Sequence, residues 1–165
     1  MLKIKPLFVY SKYIPFGRFD YVTILWWVII KMHFNPVKQG WEKPVMSKRS
    51  ERHETWHVWQ QMCLLVLGVF ATLVGCLVTF SVGAIPPWWV WTFPVSFPLG
   101  LYVLCWLIEL VLPPYSTAYK DICFEGEARY HELDTSPDYV PFSFLLFIKN
   151  KDWRKLGEER FGKVN

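Results

Sequence analysis

A chain of 165 residues has room for one domain, and its 53% hydrophobic content exceeds what a water-soluble core of that size absorbs. Aromatic residues make up 19% of it, ten of them Trp, which suits an apolar surface meeting a membrane-water interface. The net charge of +4 hides a segregation: every Lys and Arg falls in Lys3 to Arg52 or in Lys120 to Lys163. Nucleic-acid surfaces interleave basic and aromatic groups, so this separation argues against nucleic acid as a partner.

The N-terminal arm, residues 1–49, opens with an apolar run of about four residues, shorter than the core of a signal peptide, and no cleaved leader is expected. Val22 to Ile30 (VTILWWVII) is too short to cross a membrane as a helix and is rich in β-branched and aromatic types. It is expected to form one buried or membrane-facing strand, with an interfacial helix as the alternative. Asn35-Pro36, Gly40 and Pro44 mark a loop, and Ser47 to Ser50 offer N-caps for the next helix.

Residues 50–82 are expected to be one helix that begins polar and becomes apolar. Its second part, Met62 to Val82, carries no charge over about 21 residues, enough to span a hydrocarbon core of about 30 Å. Gly83 to Pro87 turn the chain, and residues 88–112 form a second apolar stretch in which Pro94 and Pro98 are expected to kink the helix or set off a Trp-rich interfacial piece. The two stretches make a transmembrane hairpin. Both flanking arms are basic, so the positive-inside rule puts both termini in the cytoplasm. The four cysteines form no CxxC pair, and three lie in apolar stretches where a thiol behaves as a small hydrophobe.

Residues 116–135 are expected to hold a second, acidic helix, ended by Ser136-Pro137-Asp138, and residues 136–165 a tail with an aromatic run, Phe142 to Ile148. The fold class expected is a mainly α membrane protein: a two-helix hairpin with a small zincin-like HExxH part at the cytoplasmic surface and a short strand region.

His53-Glu54-Thr55-Trp56-His57 is a complete HExxH motif. Histidines at i and i+4 project from one helical face, where both imidazoles can reach one Zn²⁺ at about 2.0–2.1 Å. Glu54 stands beside that face and can take a proton from an activated water, then pass it to a leaving amine. The competing reading is an ordinary polar turn ahead of a membrane span. A third ligand is needed, and Glu125, Glu127, His131 and Glu132 lie on the expected acidic helix, which returns to the same side as the motif. Glu125 and Glu127 are two residues apart and project about 200° from each other, so only one can face the metal. Glu125 is preferred because Ala128, one turn later, allows close helix approach; Glu127 remains the alternative, or a group that orients a histidine.

HETWHVWQQ, a hydrophobic hairpin and then AYKDICFEGEARYHE together resemble a family of short bacterial membrane proteins described as zinc metallopeptidases. The early FDYVTILWWVII is similar to the strand preceding the motif in that family, and the likeness runs from about Ile14 to Lys151. Gly126 and Arg129 depart from the pattern. The resemblance implies zinc bound by His53, His57 and Glu125, with Glu54 catalytic, in a bacterial inner-membrane enzyme. The resulting expectation is a membrane-embedded zinc peptidase acting on membrane proteins or peptides near the cytoplasmic surface. The alternative is an accessory subunit of a larger membrane complex with an idle zinc site, using its aromatic tail as partner surface.

Overall fold

The computed structural model describes residues 5–15, 19–111, 122–135, 138–147 and 159–160. The first part of the expected acidic helix, its Ser136-Pro137 stop and nearly all of the charged C-terminal end lie outside the described residues. The rest is mostly helical with a small strand region.

Helix α1, Lys48–Ser81, is unbroken over 34 residues. Ser47 caps it, its Oγ accepting the Ser50 N–H at 3.0 Å. In its first half Glu54 to Val58 and Gln60 are buried by the rest of the protein, whereas Val66, Phe70, Leu73 and Leu77 further along are exposed. Gly83, at φ +73°, ends the helix in a conformation that a side chain disfavours. Trp88–Thr92 then form a 3₁₀ turn, followed by α2, Phe93–Val111. Pro94 falls in the first turn of α2 and Pro98 inside it, so the Trp-rich piece is set off by a change of helix type. Both helical segments are long and apolar enough to cross a membrane. They run antiparallel: Gly68 meets Pro94 and Phe97, while His57 lies beside Tyr102.

Helix α3, Cys123–His131, packs on the first half of α1. Ile122, Phe124, Leu64, Phe144 and Phe147 form a core between them, with Leu101 and Cys105 of α2 against it. The aromatic tail expected to serve partners is therefore partly consumed inside: Phe144 and Phe147 are buried, and only Leu145 and Leu146 of its 3₁₀ turn stand out.

The strand region differs from expectation. Val22 to Ile30 is two strands, β2 (Tyr21–Ile24) and β3 (Trp27–Lys31), joined by a turn at Leu25-Trp26. Leu25 has φ +55°, a value a branched side chain resists, and its N–H is held by Gln61 Oε1 at 2.5 Å. No Gly, Asn or Asp marks this turn; a residue of α1 imposes it. β3 is central, parallel to β1 (Leu7–Ser11) and antiparallel to β2. β4 (His33–Asn35) and β5 (Gly40–Glu42) form a separate hairpin. In the β2-β3 register Thr23 opposes Val28 and Tyr21 opposes Ile30, so these four share one face. Val28 and Ile30 bury themselves against Val58 of α1, which turns Thr23 and Tyr21 towards the HExxH segment.

The two long helices approach closely at Gly68, where a built Cβ would stand 3.0 Å from Pro94 Cα. Gly68→Leu is expected to destabilise the protein by about 1–3 kcal/mol through overpacking. Gly75→Ala, with nothing within 4 Å, is the control and should be neutral or slightly stabilising. Thermal unfolding in detergent checks the pair; equal melting temperatures would contradict the packing described.

Candidate metal centre

The helical spacing of His53 and His57 sets their rings face to edge with centroids 4.8 Å apart, and both Nε2 atoms converge at 3.2 Å. Glu125 arrives from the first turn of α3, its Oε1 3.3 Å from His57 Nε2 and its Oε2 3.5 Å from His53 Nε2. Ligand atoms at zinc-like bond lengths about a tetrahedral ion are separated by roughly 3.3–3.4 Å. The two imidazole nitrogens face different oxygens of the one carboxylate at distances near that value, and this donor set of two imidazoles and one carboxylate could hold a metal ion.

The surroundings fix which ring nitrogens are available. Gln60, buried beside His57, has its amide nitrogen between two acceptors, Phe124 O at 2.9 Å and Glu127 Oε2 at 2.7 Å. Both of its hydrogens are thereby spent, so Oε1 must face His57 Nδ1, 2.9 Å away, and accept that proton. His57 Nε2 is left with its lone pair towards Glu125. On His53, Nδ1 faces Glu132 Oε2 at 3.3 Å, which leaves Nε2 for the site.

Glu127 is not at the metal position. It is fully buried, accepting from Gln60 and from Ser143, and acts on the site through Gln60 and His57. Burial lifts its carboxyl above the usual range despite those two donors. Ala128, one turn after Glu125, is fully buried. His131 stacks on the Trp56 indole with centroids 3.9 Å apart and lies outside the triangle; burial pushes it down to about 4.

Glu54, also buried, does not point at the triangle's third corner; its Oε2 accepts the Thr23 hydroxyl of β2 at 2.6 Å. Tyr102 of α2 donates to Glu125 Oε1 at 2.8 Å. The residues that sequence reasoning passed over are thus Thr23, Gln60, Tyr102 and Ser143. Gln60 alone carried a local signal, being three residues from His57 on the same helix; the others come from distant strands, helices and turns.

Burial opposes charge on both histidines, but Glu125 beside them, with Glu132 against His53, outweighs it: His53 is raised to about 10 and His57 is raised as well. Burial would likewise lift Glu125, yet the two imidazoles hold it well below the usual carboxylate range. In the metal-free protein the raised His53 stabilises the fold fully below its ordinary 6.5, and that contribution fades as pH rises through about 10. Metal and proton compete for the same Nε2 atoms. Metal affinity is therefore expected to climb with pH from 6 towards 10, by up to about tenfold per unit for each proton released; affinity independent of pH over that range would contradict it.

Substitutions separate the roles. Glu125→Ala should abolish stoichiometric metal, Gln60→Ala should weaken metal about 10–100-fold by freeing the His57 ring, and Glu127→Ala should act no more strongly than Gln60→Ala. Metal analysis after dialysis reads all three, and full retention by Glu125→Ala would remove Glu125 from the ligand set. Comparison of the chain with protein-family models, with characterised proteins and with solved structures gave no match.

Proposed function

We propose that the protein is a membrane-embedded zinc peptidase that cleaves peptide bonds close to the cytoplasmic face of a bacterial inner membrane. The observation that carries this reading is the convergence of His53 Nε2, His57 Nε2 and the Glu125 carboxylate, a group that could hold a metal ion, with Glu54 of the same helix lining the cleft that His57 and Glu125 line. A zinc ion bound there would supply Lewis-acid activation of a water molecule and of the substrate carbonyl.

The remaining work belongs to the chain. Glu54 takes a proton as water oxygen bonds to the carbonyl carbon, then delivers it to the amine nitrogen as the C–N bond breaks. Thr23 holds the Glu54 carboxylate in one orientation, since a hydroxyl 2.6 Å from Oε2 restrains its rotation. Tyr102 does the same for Glu125.

The substrate path follows from the edge strand. β2 lies at the border of its sheet, and a cleft of about 300 Å³ runs between Val22, Thr23 and Ile24 on one wall and Leu99, Tyr102 and Val103 of α2 on the other. Glu54, His57 and Glu125 line the same cleft. An extended peptide could pair with the strand by main-chain bonds while its side chains meet the apolar wall. Membrane residence is supported by the outward apolar side chains of α1 beyond Leu64 and of α2, a band that water would not tolerate. The basic flanks favour an inward orientation of both arms.

Glu54→Gln should keep stoichiometric zinc and the fold but lose at least about 100-fold in cleavage of a membrane-inserted peptide, because the general base is gone while both imidazoles stay. Unchanged cleavage would sink the mechanism. A protein that holds zinc, forms a stable complex with another membrane protein and cleaves nothing would support the accessory-subunit alternative. Orientation is read separately: a thiol placed between Ala84 and Trp88 should react with an impermeant reagent from outside, and one at Lys48 should not.

A further inference from the structure

The ligand triangle opens on two sides of different chemistry. One side is the apolar cleft between β2 and α2. The other is a polar pocket of about 380 Å³ lined by Tyr21, Arg49, Ser50, His53, Arg129 and Glu132, with Glu54 at its boundary. Tyr21 and Glu54 line both, so the two adjoin at the proposed general base.

The charges of the polar pocket are unequally committed. Arg49 is bound to the Glu132 carboxylate, and Arg52 donates to the Glu132 carbonyl at 2.7 Å. Arg129 differs: its ion pair is with Glu125 Oε2 at 3.8 Å, too long for a good hydrogen bond. Glu125 is the carboxylate that a metal would claim. Once its charge is taken up, Arg129 is left as a cation lining the pocket that Glu54 also lines.

We infer that Arg129 forms an anion-recognising subsite, so that the preferred substrate is a peptide carrying an apolar segment on one side of the cleaved bond and a carboxylate on the other. This inference rests on the peptidase reading and names its substrate class. The guanidinium offers a planar pair of N–H donors that match a carboxylate, and a bidentate contact is directional as well as attractive. The apolar segment lies in the cleft walled by Leu99 and Val103, and the carboxylate reaches the polar pocket.

The test measures binding without turnover, so that it stands apart from any failure to cleave. Full-length zinc-loaded Glu54→Gln protein in discs of zwitterionic lipid is titrated with fluorescent peptides that share an apolar segment and differ at one position beyond it: Glu, Gln or Lys with an amidated end, and Gln with a free C-terminal carboxylate. The Glu peptide or the free-end peptide should bind about tenfold more tightly than the amidated Gln peptide, and whichever does identifies the carboxylate as side chain or terminus. Lys should bind most weakly. Adding Arg129→Gln should erase the preference, and Arg129→Lys should restore part of it, with zinc content measured in each. Equal affinity for Glu, Gln and free-end peptides in the protein that keeps Arg129 overturns the subsite, whatever the variants do. So does a preference that survives Arg129→Gln. If anionic lipid in the disc removes the discrimination, the pocket is a headgroup site and the peptide assignment is overturned.

Discussion

Gln60 is 2% exposed and carries four hydrogen-bonding positions into a place where water cannot serve them. Three partners are visible around it: the Phe124 carbonyl, the Glu127 carboxylate and the His57 ring. A buried carboxamide left with an unmet donor or acceptor costs about 1–3 kcal/mol, so these contacts come together or not at all. Through them α3 is locked to α1 in one register. That register is what brings Glu125 to the two imidazoles, and it explains why Glu127, two residues on, is turned to the interior instead. Ser143 extends the same network to the last described 3₁₀ turn.

The neighbouring Gln61 performs a parallel task in the other direction. Adjacent residues of a helix point about 100° apart, so one side chain can hold α3 while the next reaches the sheet. Gln61 donates to Thr23 O at 2.8 Å and accepts from Leu25 N–H, much as the peptide group of a neighbouring strand would. This forces the Leu25-Trp26 turn, sets the face on which Thr23 lies and so delivers a hydroxyl to Glu54. Two consecutive amides therefore position the candidate metal ligands and the proposed base independently, and the cleft is the space left between the elements they hold.

The long-period features were legible in the sequence. Charge-free length predicts both apolar helices, and i, i+4 spacing predicts a shared histidine face, since each depends on local chain geometry alone. That only one of Glu125 and Glu127 can face the histidines was also legible, because it follows from helical angle; the preference for Glu125 drew on the small Ala128 and on the family resemblance. What was not legible is tertiary. A run as apolar as VTILWWVII has no internal reason to bend at Leu25; the reason is Gln61, some 36 residues away. Phe144 and Phe147 look like sticky surface until Phe124 is placed against them. Tyr102 sits in an apolar helix with nothing nearby to suggest that its hydroxyl serves a carboxylate on another element.

The geometry of α1 places a constraint on any substrate if its apolar half lies in a bilayer. His57 precedes Met62, where the charge-free stretch begins, by five residues, or about 7–8 Å along the axis, and Glu54 by about 12 Å. An extended peptide advances about 3.3 Å per residue, so measured along α1 a bond at Glu54 lies about two to four residues from the charge-free stretch, while the exposed apolar side chains of α2 run past that level to Val111. Water-soluble chains have no membrane-inserted segment to anchor them there, whereas a membrane protein presents its juxtamembrane residues at that depth without rearrangement. The apolar wall of Leu99 and Val103 stands at the same level as Glu54 and His57 because α2 returns antiparallel to α1 from a short turn. On the peptidase reading proposed above, hairpin length would set the substrate's position, and the polar pocket with Arg129 would refine a choice that the helices had narrowed.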